Sequence, residues 1–274
     1  MKKYNASPLP FQGQKRMFIK QFKTALQEFP ENATYVDLFG GSGLLAHTIK
    51  QEKPKARVIW NDYDNFQERL NNIGKTNALL QKIDPYLKQV QNWKYPPHAR
   101  EEILALLAAQ EGFVDYMTLS ASLLFSGCFA PSLEELKKNK SFYTKRKSFA
   151  IYTAEGYLQG VERVQRCYTE LIEEFKNTEN VVFVLDPPYL TTDTTNYRSD
   201  KYWTLKDYLT VIKYLVQMES FFYFTSHKSD LVEFASFYAK GMGAKSPFEG
   251  AKRMRRINNL SKTATYEDIM LYKF

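Results

Sequence analysis

The chain has 274 residues, of which 44% are hydrophobic and 15% aromatic, so it can bury one α/β core and carry one insertion. Its net charge of +8 favours acidic partners, while no stretch is long and apolar enough to span a bilayer and the N-terminus lacks the apolar region of a signal peptide. Two isolated cysteines and three histidines without ligand spacing argue against a disulfide framework and a metal site, so we expect a cytoplasmic protein without a structural metal.

The first predicted helix covers residues 18–29, and a strand near Tyr35 then runs into the glycine-rich turn DLFGGSG and a helix from Leu44 to Gln51. Glycines let a ligand approach the backbone, and the start of a helix supplies free amides, so this order predicts a nucleotide site. The third glycine of the dinucleotide fingerprint is absent, which argues against NAD and FAD, and a Walker lysine is missing too. The expected ligand is a nucleoside without a diphosphate.

A second strand near Val58 ends at Asp62, about twenty residues after the glycine turn. This is the spacing at which an acidic residue binds ribose hydroxyls in Rossmann-like sheets. Asp64 is the alternative for that role, and a solvated turn is the alternative for both.

The pattern changes between residues 75 and 156, where Asp84-Pro85 and Pro96-Pro97 interrupt the chain and helices are predicted over residues 100–110 and 115–125. The run LKKNKSFYTKRK then places six basic residues around Phe142 and Tyr143, an arrangement that suits phosphates and unstacked bases. A second basic run, GAKRMRRINNLSK, contains Arg255 and Arg256, which are predicted to bind DNA as well. Either run could also be a solvated loop. The predicted DNA-binding residues of the first run are Lys137, Lys138, Lys140, Lys145, Arg146 and Lys147.

After a strand near Val164, an apolar run over residues 181–185 predicts a central parallel strand that ends at DPPY. The two prolines make a stiff corner whose carbonyls project beyond the carboxyl end of the strand. The side chain of Asp186 and the carbonyl of Pro187 can accept hydrogens from the amino group of a flat ring, while Tyr189 stacks on that ring. By accepting the amino hydrogens, these oxygens localise the lone pair of the amine nitrogen. The amine then becomes a better nucleophile, mainly in the transition state.

A helix over residues 205–218, a strand near Phe222 and a last strand over residues 266–274 complete the pattern. Strands that alternate with helices predict a Rossmann-like α/β sheet with a helical insertion. The predicted domains are a catalytic domain formed by residues 1–74 and 157–274, and an inserted domain formed by residues 75–156.

The chain resembles the Dam-type, alpha-class (D12 class) DNA adenine methyltransferases in four features that occur in the same order: FQGQK, DLFGGSG, the Asp62 strand end and DPPY. Weaker similarity is found in FTSHKSDL and DIMLYKF. The resemblance spans most of the chain, and DPPY is its most specific part. It implies S-adenosylmethionine as the methyl donor, double-stranded DNA as the partner and a target-recognition domain at the insertion. The resemblance also makes a cognate restriction endonuclease a candidate partner.

By that resemblance Phe11, Lys15, Asp62 and Asp186 contact S-adenosylmethionine, with Asp37 and Gly40 near its methionine part. Tyr168 resembles the residue that flanks the cofactor adenine. The remaining motif members are further candidates for the cofactor site: Gly13, Phe39, Gly41, Ser42 and Gly43. Asp186, Pro187, Pro188 and Tyr189 form the expected catalytic corner.

The expected mechanism is base flipping followed by in-line methyl transfer, because an amino group inside a duplex cannot reach a donor methyl. The loop of residues 191–203, with Tyr197 and Arg198, is predicted to close over the flipped base. Other methyltransferases of aromatic or amide amino groups are alternatives. Cytosine 4-amino methyltransferases more often begin the corner with Ser, and protein-glutamine and RNA adenine methyltransferases with Asn, so Asp186 favours adenine in DNA. A non-catalytic DNA-binding protein of the same fold is the remaining alternative, which the intact Asp186 and glycine turn disfavour.

The insertion departs from the best-known members of the family. LLFSGCFAPSLEEL, residues 123–136, stands where those members carry the Asn- and Arg-bearing segment that reads GATC. The sequence therefore predicts a different or looser target site.

Overall fold

The computed structural model describes residues 4–125, 127–189, 203–227, 231–259 and 265–274, with side chains at all of them except 258, 259, 265 and 266. The chain folds into two compact units. The sheet unit comprises Met1–Ala6, Gln14–Asp64 and Leu158–Phe274, and the helical unit comprises Ser7–Gly13 and Asn65–Tyr157. The helical unit thus includes residues 7–13 and 65–74, which the sequence analysis assigned to the catalytic domain.

The sheet unit is built on one sheet with the strand order β3-β2-β1-β4-β5-β7-β6. The first five strands in that order are parallel, β7 runs antiparallel to β5, and β6 runs antiparallel to β7. This arrangement confirms the Rossmann-like α/β fold. The strands are β1 (Thr34–Asp37), β2 (Arg57–Asn61), β3 (Glu162–Val164), β4 (Val181–Leu185), β5 (Phe221–Ser226), β6 (Lys252–Asn259) and β7 (Thr265–Lys273).

Helices cover both faces of this sheet, because side chains alternate between the faces along each strand. On β5, Phe222 packs against Phe22 of the first helix with ring centroids 4.9 Å apart, whereas Phe221 and Tyr223 belong to the core on the opposite face. The helices that contribute to that opposite core are α8 (Tyr168–Phe175), α9 (Leu205–Leu215) and α10 (Leu231–Gly241). The first two helices are α1 (Ile19–Leu26) and α2 (Leu44–Glu52), which pack on each other.

The helical unit has a separate core, which is built from buried side chains of its helices and loops such as Leu79, Ile103 and Leu119. Phe142 belongs to this core and is fully buried, with the guanidinium of Arg100 5.4 Å from the centre of its ring. The expectation that Phe142 stacks on DNA is therefore wrong. The helices are α3 (Phe66–Asn71), α4 (Ile73–Ile83), a 3-10 helix (Asp84–Gln89), α5 (Pro97–Ala108), α6 (Tyr116–Leu123) and α7 (Leu133–Lys138).

The strand β6 was not predicted, because residues 252–259 are basic rather than apolar. Among the described residues, β6 is the last strand in the sheet order and pairs only with β7. A strand with one neighbour can expose charged side chains, which discourage pairing with other chains. Arg255 is exposed on β6 and forms an ion pair with Glu267 of β7 at 3.3 Å.

Candidate active site

The candidate site lies at the carboxyl ends of the parallel strands, at the point where the strand order reverses. β1 pairs with β2 on one side and with β4 on the other, so the order changes direction between β1 and β4. Ligands of open α/β sheets bind at such a switch point. Asp37 is the last residue of β1, Asp62 follows β2 and Asp186 follows β4. Three acidic residues predicted from the sequence thus follow neighbouring strands at the same edge.

The turn between β1 and α2 requires glycine for two separate reasons. Gly43 precedes α2 with a φ of 76°, a left-handed conformation that glycine adopts without strain. A Cβ on residue 40 would lie 2.1 Å from Cδ1 of Trp60, so Gly40 is required by the packing of that indole ring. Gly41 has positive φ as well, and Ser42 is almost fully buried. The turn brings the amino end of α2 to the site, where the unpaired amides of the first helical turn favour an anionic group.

Asp37 and Asp186 are buried together at the ends of β1 and β4. Asp37 is fully buried, and neither of its carboxylate oxygens has a hydrogen-bond partner of normal geometry among the described residues. Burial, and then the charge of Asp186, raises the pKa of Asp37 to about 8. The amides of Ala46 and Phe39 act in the opposite direction. Since buried polar groups are normally hydrogen-bonded, a buried carboxylate that makes no hydrogen bond of normal geometry is a candidate ligand-binding group.

Lys15 holds one oxygen of Asp186 and leaves the other available. Its Nζ lies 2.5 Å from Oδ2 of Asp186, and both side chains are largely buried. The Oδ1 atom of Asp186 has no hydrogen-bond partner among the described residues. Burial raises the pKa of Asp186, while the charge of Lys15 opposes that rise. The Lys15 ammonium also lies 5.2 Å from the centre of the Tyr189 ring, so it connects two residues of the DPPY corner.

Asp62 is fully buried at the end of β2, and Nε of Arg163 donates to its Oδ2 over 2.7 Å. Its amide donates to the carbonyl of Val164 on β3 over 2.8 Å. These contacts fix the orientation of the carboxylate at the carboxyl end of the sheet. Asp64 is half-buried two residues further along the chain. The predicted ribose contact of Asp62 stays a prediction.

Three aromatic rings from distant segments cluster beside the glycine turn. The ring of Phe39 lies 5.0 Å from that of Tyr168, which stacks on Trp203 at 5.7 Å with an interplanar angle of 26°. Burial raises the pKa of the Tyr168 phenol, which therefore stays neutral. The structure thus brings together two predicted cofactor residues, Phe39 and Tyr168, and a third ring, that of Trp203, which was not predicted for this site. A pair of flat rings of this kind is suited to bind a further planar ring by stacking.

Asn61 was missed by the sequence analysis, although it precedes Asp62 directly. Its Nδ2 donates to the carbonyls of Leu38 and Arg166, each over 2.9 Å, and its Oδ1 accepts from the Arg166 amide over 3.0 Å. One buried side chain therefore links the ends of β1 and β2 to the segment before α8 and positions the aromatic cluster. A side-chain amide at the end of an otherwise apolar strand is the signal that could have identified it.

The remaining predicted residues lie elsewhere. Phe11 and Gly13 belong to the helical unit, whereas Lys15 of the same motif belongs to the sheet unit. Tyr197 and Arg198 lie outside the described residues. All six predicted DNA-binding cations between residues 137 and 147 are exposed. In the described part of the chain, no group of three or more His, Cys, Asp or Glu side chains could hold a metal ion, and no helix is both long and apolar enough to cross a membrane.

Comparison with known proteins identifies the family of this chain. Residues 11–234 match the D12 class N6 adenine-specific DNA methyltransferases. A Haemophilus influenzae (strain Rd) protein named "Putative methyltransferase" is 38% identical over 280 aligned positions, which cover 100% of this chain and 94% of that protein. The chain therefore belongs to the D12 class N6 adenine-specific DNA methyltransferase family and is an enzyme of that family. The resemblance found from its motifs is confirmed.

Proposed function

We propose that the enzyme transfers the methyl group of S-adenosylmethionine to the 6-amino group of an adenine flipped out of double-stranded DNA. The observation that carries this proposal is the Oδ1 atom of Asp186, a buried carboxylate oxygen without a hydrogen-bond partner among the described residues, at the carboxyl end of β4. An amino hydrogen of adenine would satisfy this acceptor. Asp186 belongs to the DPPY corner, where the carbonyl of Pro187 is the second acceptor.

The residues at the switch point fit the chemical groups of S-adenosylmethionine. The oxygens of Asp37, which make no hydrogen bond of normal geometry among the described residues, suit its ammonium group, and the amides at the start of α2 suit its carboxylate. Asp62 is placed to accept hydrogen bonds from the ribose, while the rings of Phe39, Tyr168 and Trp203 suit the cofactor adenine. When bound, S-adenosylmethionine supplies a methyl group on a positively charged sulfur that leaves readily.

The DPPY corner activates the acceptor amine in this proposal. Oδ1 of Asp186 and the Pro187 carbonyl each accept one amino hydrogen, which localises the nitrogen lone pair toward the donor methyl. Tyr189 stacks on the target base. Burial raises the pKa of Asp186, so this carboxylate binds the proton released by the methylated amine more readily than an exposed one would. Lys15 fixes the orientation of the carboxylate through Oδ2.

The helical unit supplies the proposed grip on DNA. Lys145, Arg146 and Lys147 are exposed next to Tyr143, whose ring stacks on that of Phe125 with centroids 4.1 Å apart. Phe125 is 53% exposed and takes the stacking role that the sequence analysis assigned to Phe142. Exposed rings among cations suit a distorted duplex with unstacked bases.

Modified-base sequencing of host DNA after expression of the chain tests this proposal. We expect 6-methyladenine at a defined site, and none with the Asp186→Ala variant, which should still bind S-adenosylmethionine, although more weakly. Methylcytosine, or equal methylation by the variant, would refute the assignment of substrate or of catalytic residue. The absence of modified bases, together with failure to bind the cofactor in solution, would favour a DNA-binding protein that has lost activity.

A further inference from the structure

Helix α10 of the sheet unit has one buried side and one exposed side that is largely apolar. The buried side contributes Leu231, Ala235 and Ala239. An amphipathic surface helix normally carries polar side chains on its outer side. Here the outer side carries four large apolar residues, the α10 patch, whose exposed fractions are 43% for Phe234, 81% for Phe237, 59% for Tyr238 and 67% for Met242.

The α10 patch is continuous, because its members follow one another at helical spacing. The rings of Phe234 and Tyr238 are stacked, with centroids 5.9 Å apart and an interplanar angle of 15°. The amide of Met242 donates to the carbonyl of Tyr238 over 3.1 Å, so the methionine continues the last turn of the helix. At about 150–250 Å² per aromatic side chain, the exposed parts of the three rings amount to roughly 300–450 Å². A continuous apolar surface of this size often marks an interaction site.

Two opposite charges border the α10 patch. Glu233 and Lys240 are both exposed, and their separation of seven residues places them on the same flank of the helix, one near each end. Phe237 lies close to the midpoint between them. A two-fold axis at this midpoint would place a second α10 antiparallel to the first, with Glu233 of each copy facing Lys240 of the other. The outer side of α10 is therefore complementary to itself in charge.

We propose that the α10 patch is the centre of a homodimer interface, in which α10 packs antiparallel to its copy across a two-fold axis near Phe237. Aromatic residues and Met are enriched in the cores of protein interfaces, whereas charged residues lie at the rim, as they do on α10. A standard interface buries about 800 Å² per partner, so the aromatic rings supply about half of it and the residues around them the rest.

A second copy fits the α10 patch better than DNA does, because the carboxylate of Glu233 would repel phosphates. The two reciprocal ion pairs also fix the antiparallel register of the helices. The proposal uses no residue of the candidate active site, so it does not depend on the proposed function.

Analytical ultracentrifugation of the full chain without DNA, over a wide range of protein concentration, tests the proposal. In the dimer, Glu233→Lys and Lys240→Glu each create two pairs of like charges, whereas the double variant with both substitutions restores two attractive pairs. Phe237→Glu places a charge at the centre of the interface.

Phe274→Glu is the matched control, because Phe274 is 66% exposed but belongs to the other face of the sheet. Its ring lies 5.2 Å from that of Phe29, which packs on Phe222, whereas the buried residues of α10 join the core on the face opposite Phe222. Circular dichroism of Phe237→Glu should match that of the wild type, because the replaced ring is largely exposed in the single chain.

We expect dimers for the wild type, the double variant and Phe274→Glu, and a monomer for Phe237→Glu. Each single charge reversal should raise the dissociation constant of the dimer about tenfold, because two exposed ion pairs become repulsive. A wild type that is monomeric at every concentration would overturn the proposal. Equal dissociation constants for Phe237→Glu and Phe274→Glu would overturn it too, as would a double variant that dimerises no better than the single reversals.

Discussion

Two buried aspartates, one in each unit, differ in how their oxygens are used. Asp115 in the helical unit accepts from Arg69, from the Thr118 amide and from the Thr118 hydroxyl. Asp37 in the sheet unit is just as buried, yet neither of its oxygens has a hydrogen-bond partner of normal geometry among the described residues. A satisfied buried carboxylate contributes to stability, whereas an unsatisfied one costs stability until a ligand binds. The difference makes Asp37 a candidate ligand-binding group independently of the motif that contains it.

Substitution at these two positions should therefore have opposite effects on stability. Asp115→Ala leaves the charge of Arg69 buried without its partner and should lower the free energy of unfolding by about 3–5 kcal/mol. Asp37→Asn removes an ionisable carboxyl group whose charged form is disfavoured by burial and by the charge of Asp186, so it should leave the stability of the protein without cofactor unchanged or higher. Chemical denaturation of both variants measures this contrast. Equal losses of stability would show that Asp37 has a structural partner.

The same contrast can be sharpened at Asp62, which is buried but paired with Arg163. If Asp62 binds the ribose, Asp62→Ala should weaken S-adenosylmethionine binding by about 1.5–3 kcal/mol, the range for a hydrogen bond to a charged group. Asp64→Ala is the control, because Asp64 lies two residues further on and is only half-buried. Equilibrium binding without DNA distinguishes them, and a loss confined to Asp64→Ala would transfer the ribose role to that residue.

The ends of the parallel strands could be predicted from the sequence because each strand is a local signal. An apolar run followed by a glycine, an aspartate or a Pro-Pro pair identifies both the strand and its carboxyl end, so Asp37, Asp62 and Asp186 were all predicted near one edge. The Arg69–Asp115 pair could not be predicted, since its two residues lie 46 positions apart and neither follows a recognisable pattern.

The basic segments illustrate why the rest of the structure was harder to predict. In LKKNKSFYTKRK, nothing in the sequence distinguishes the buried Phe142 from the partly exposed Tyr143, because their burial depends on packing with α5 and α6. β6 lacks the apolar alternation of an internal strand because it pairs on one side only. Charge alone therefore does not separate a DNA-binding surface from a protected sheet edge.

A pH titration tests the contrast between Asp37 and Asp115 through the protonation of Asp37. The pKa of Asp37 is raised from 3.8 to about 8 by burial and by the charge of Asp186, so the folded protein binds one more proton than the unfolded chain between pH 4 and 8. Stability should therefore fall as the pH rises through this window, with a limiting slope of about 1.4 kcal/mol per pH unit for one proton. Asp37→Asn should remove this part of the slope, measured by denaturant unfolding at pH 5 and pH 8. Parallel curves for the two proteins would show that Asp37 is ionised throughout.

The smallest expected effect concerns the exposed charges of the helical unit. If Lys145, Arg146 and Lys147 neutralise phosphates, replacing all three by Gln should reduce the slope of log affinity for DNA against log salt by up to about three phosphate equivalents. Cofactor binding should not change. The control replaces three exposed lysines of the sheet unit, Lys20, Lys55 and Lys213, which should leave the slope as it is.

Loss of a phosphate contact weakens binding to all sequences alike, whereas loss of a base contact relaxes one position of the target site. The triple variant should therefore keep the target preference of the wild type while binding less tightly at high salt. An unchanged salt slope would show that the three cations only solvate the unit. Because residues 123–136 lack the GATC-reading segment of the best-known relatives, the preference itself should be a different or looser site, and strict GATC methylation would contradict that expectation.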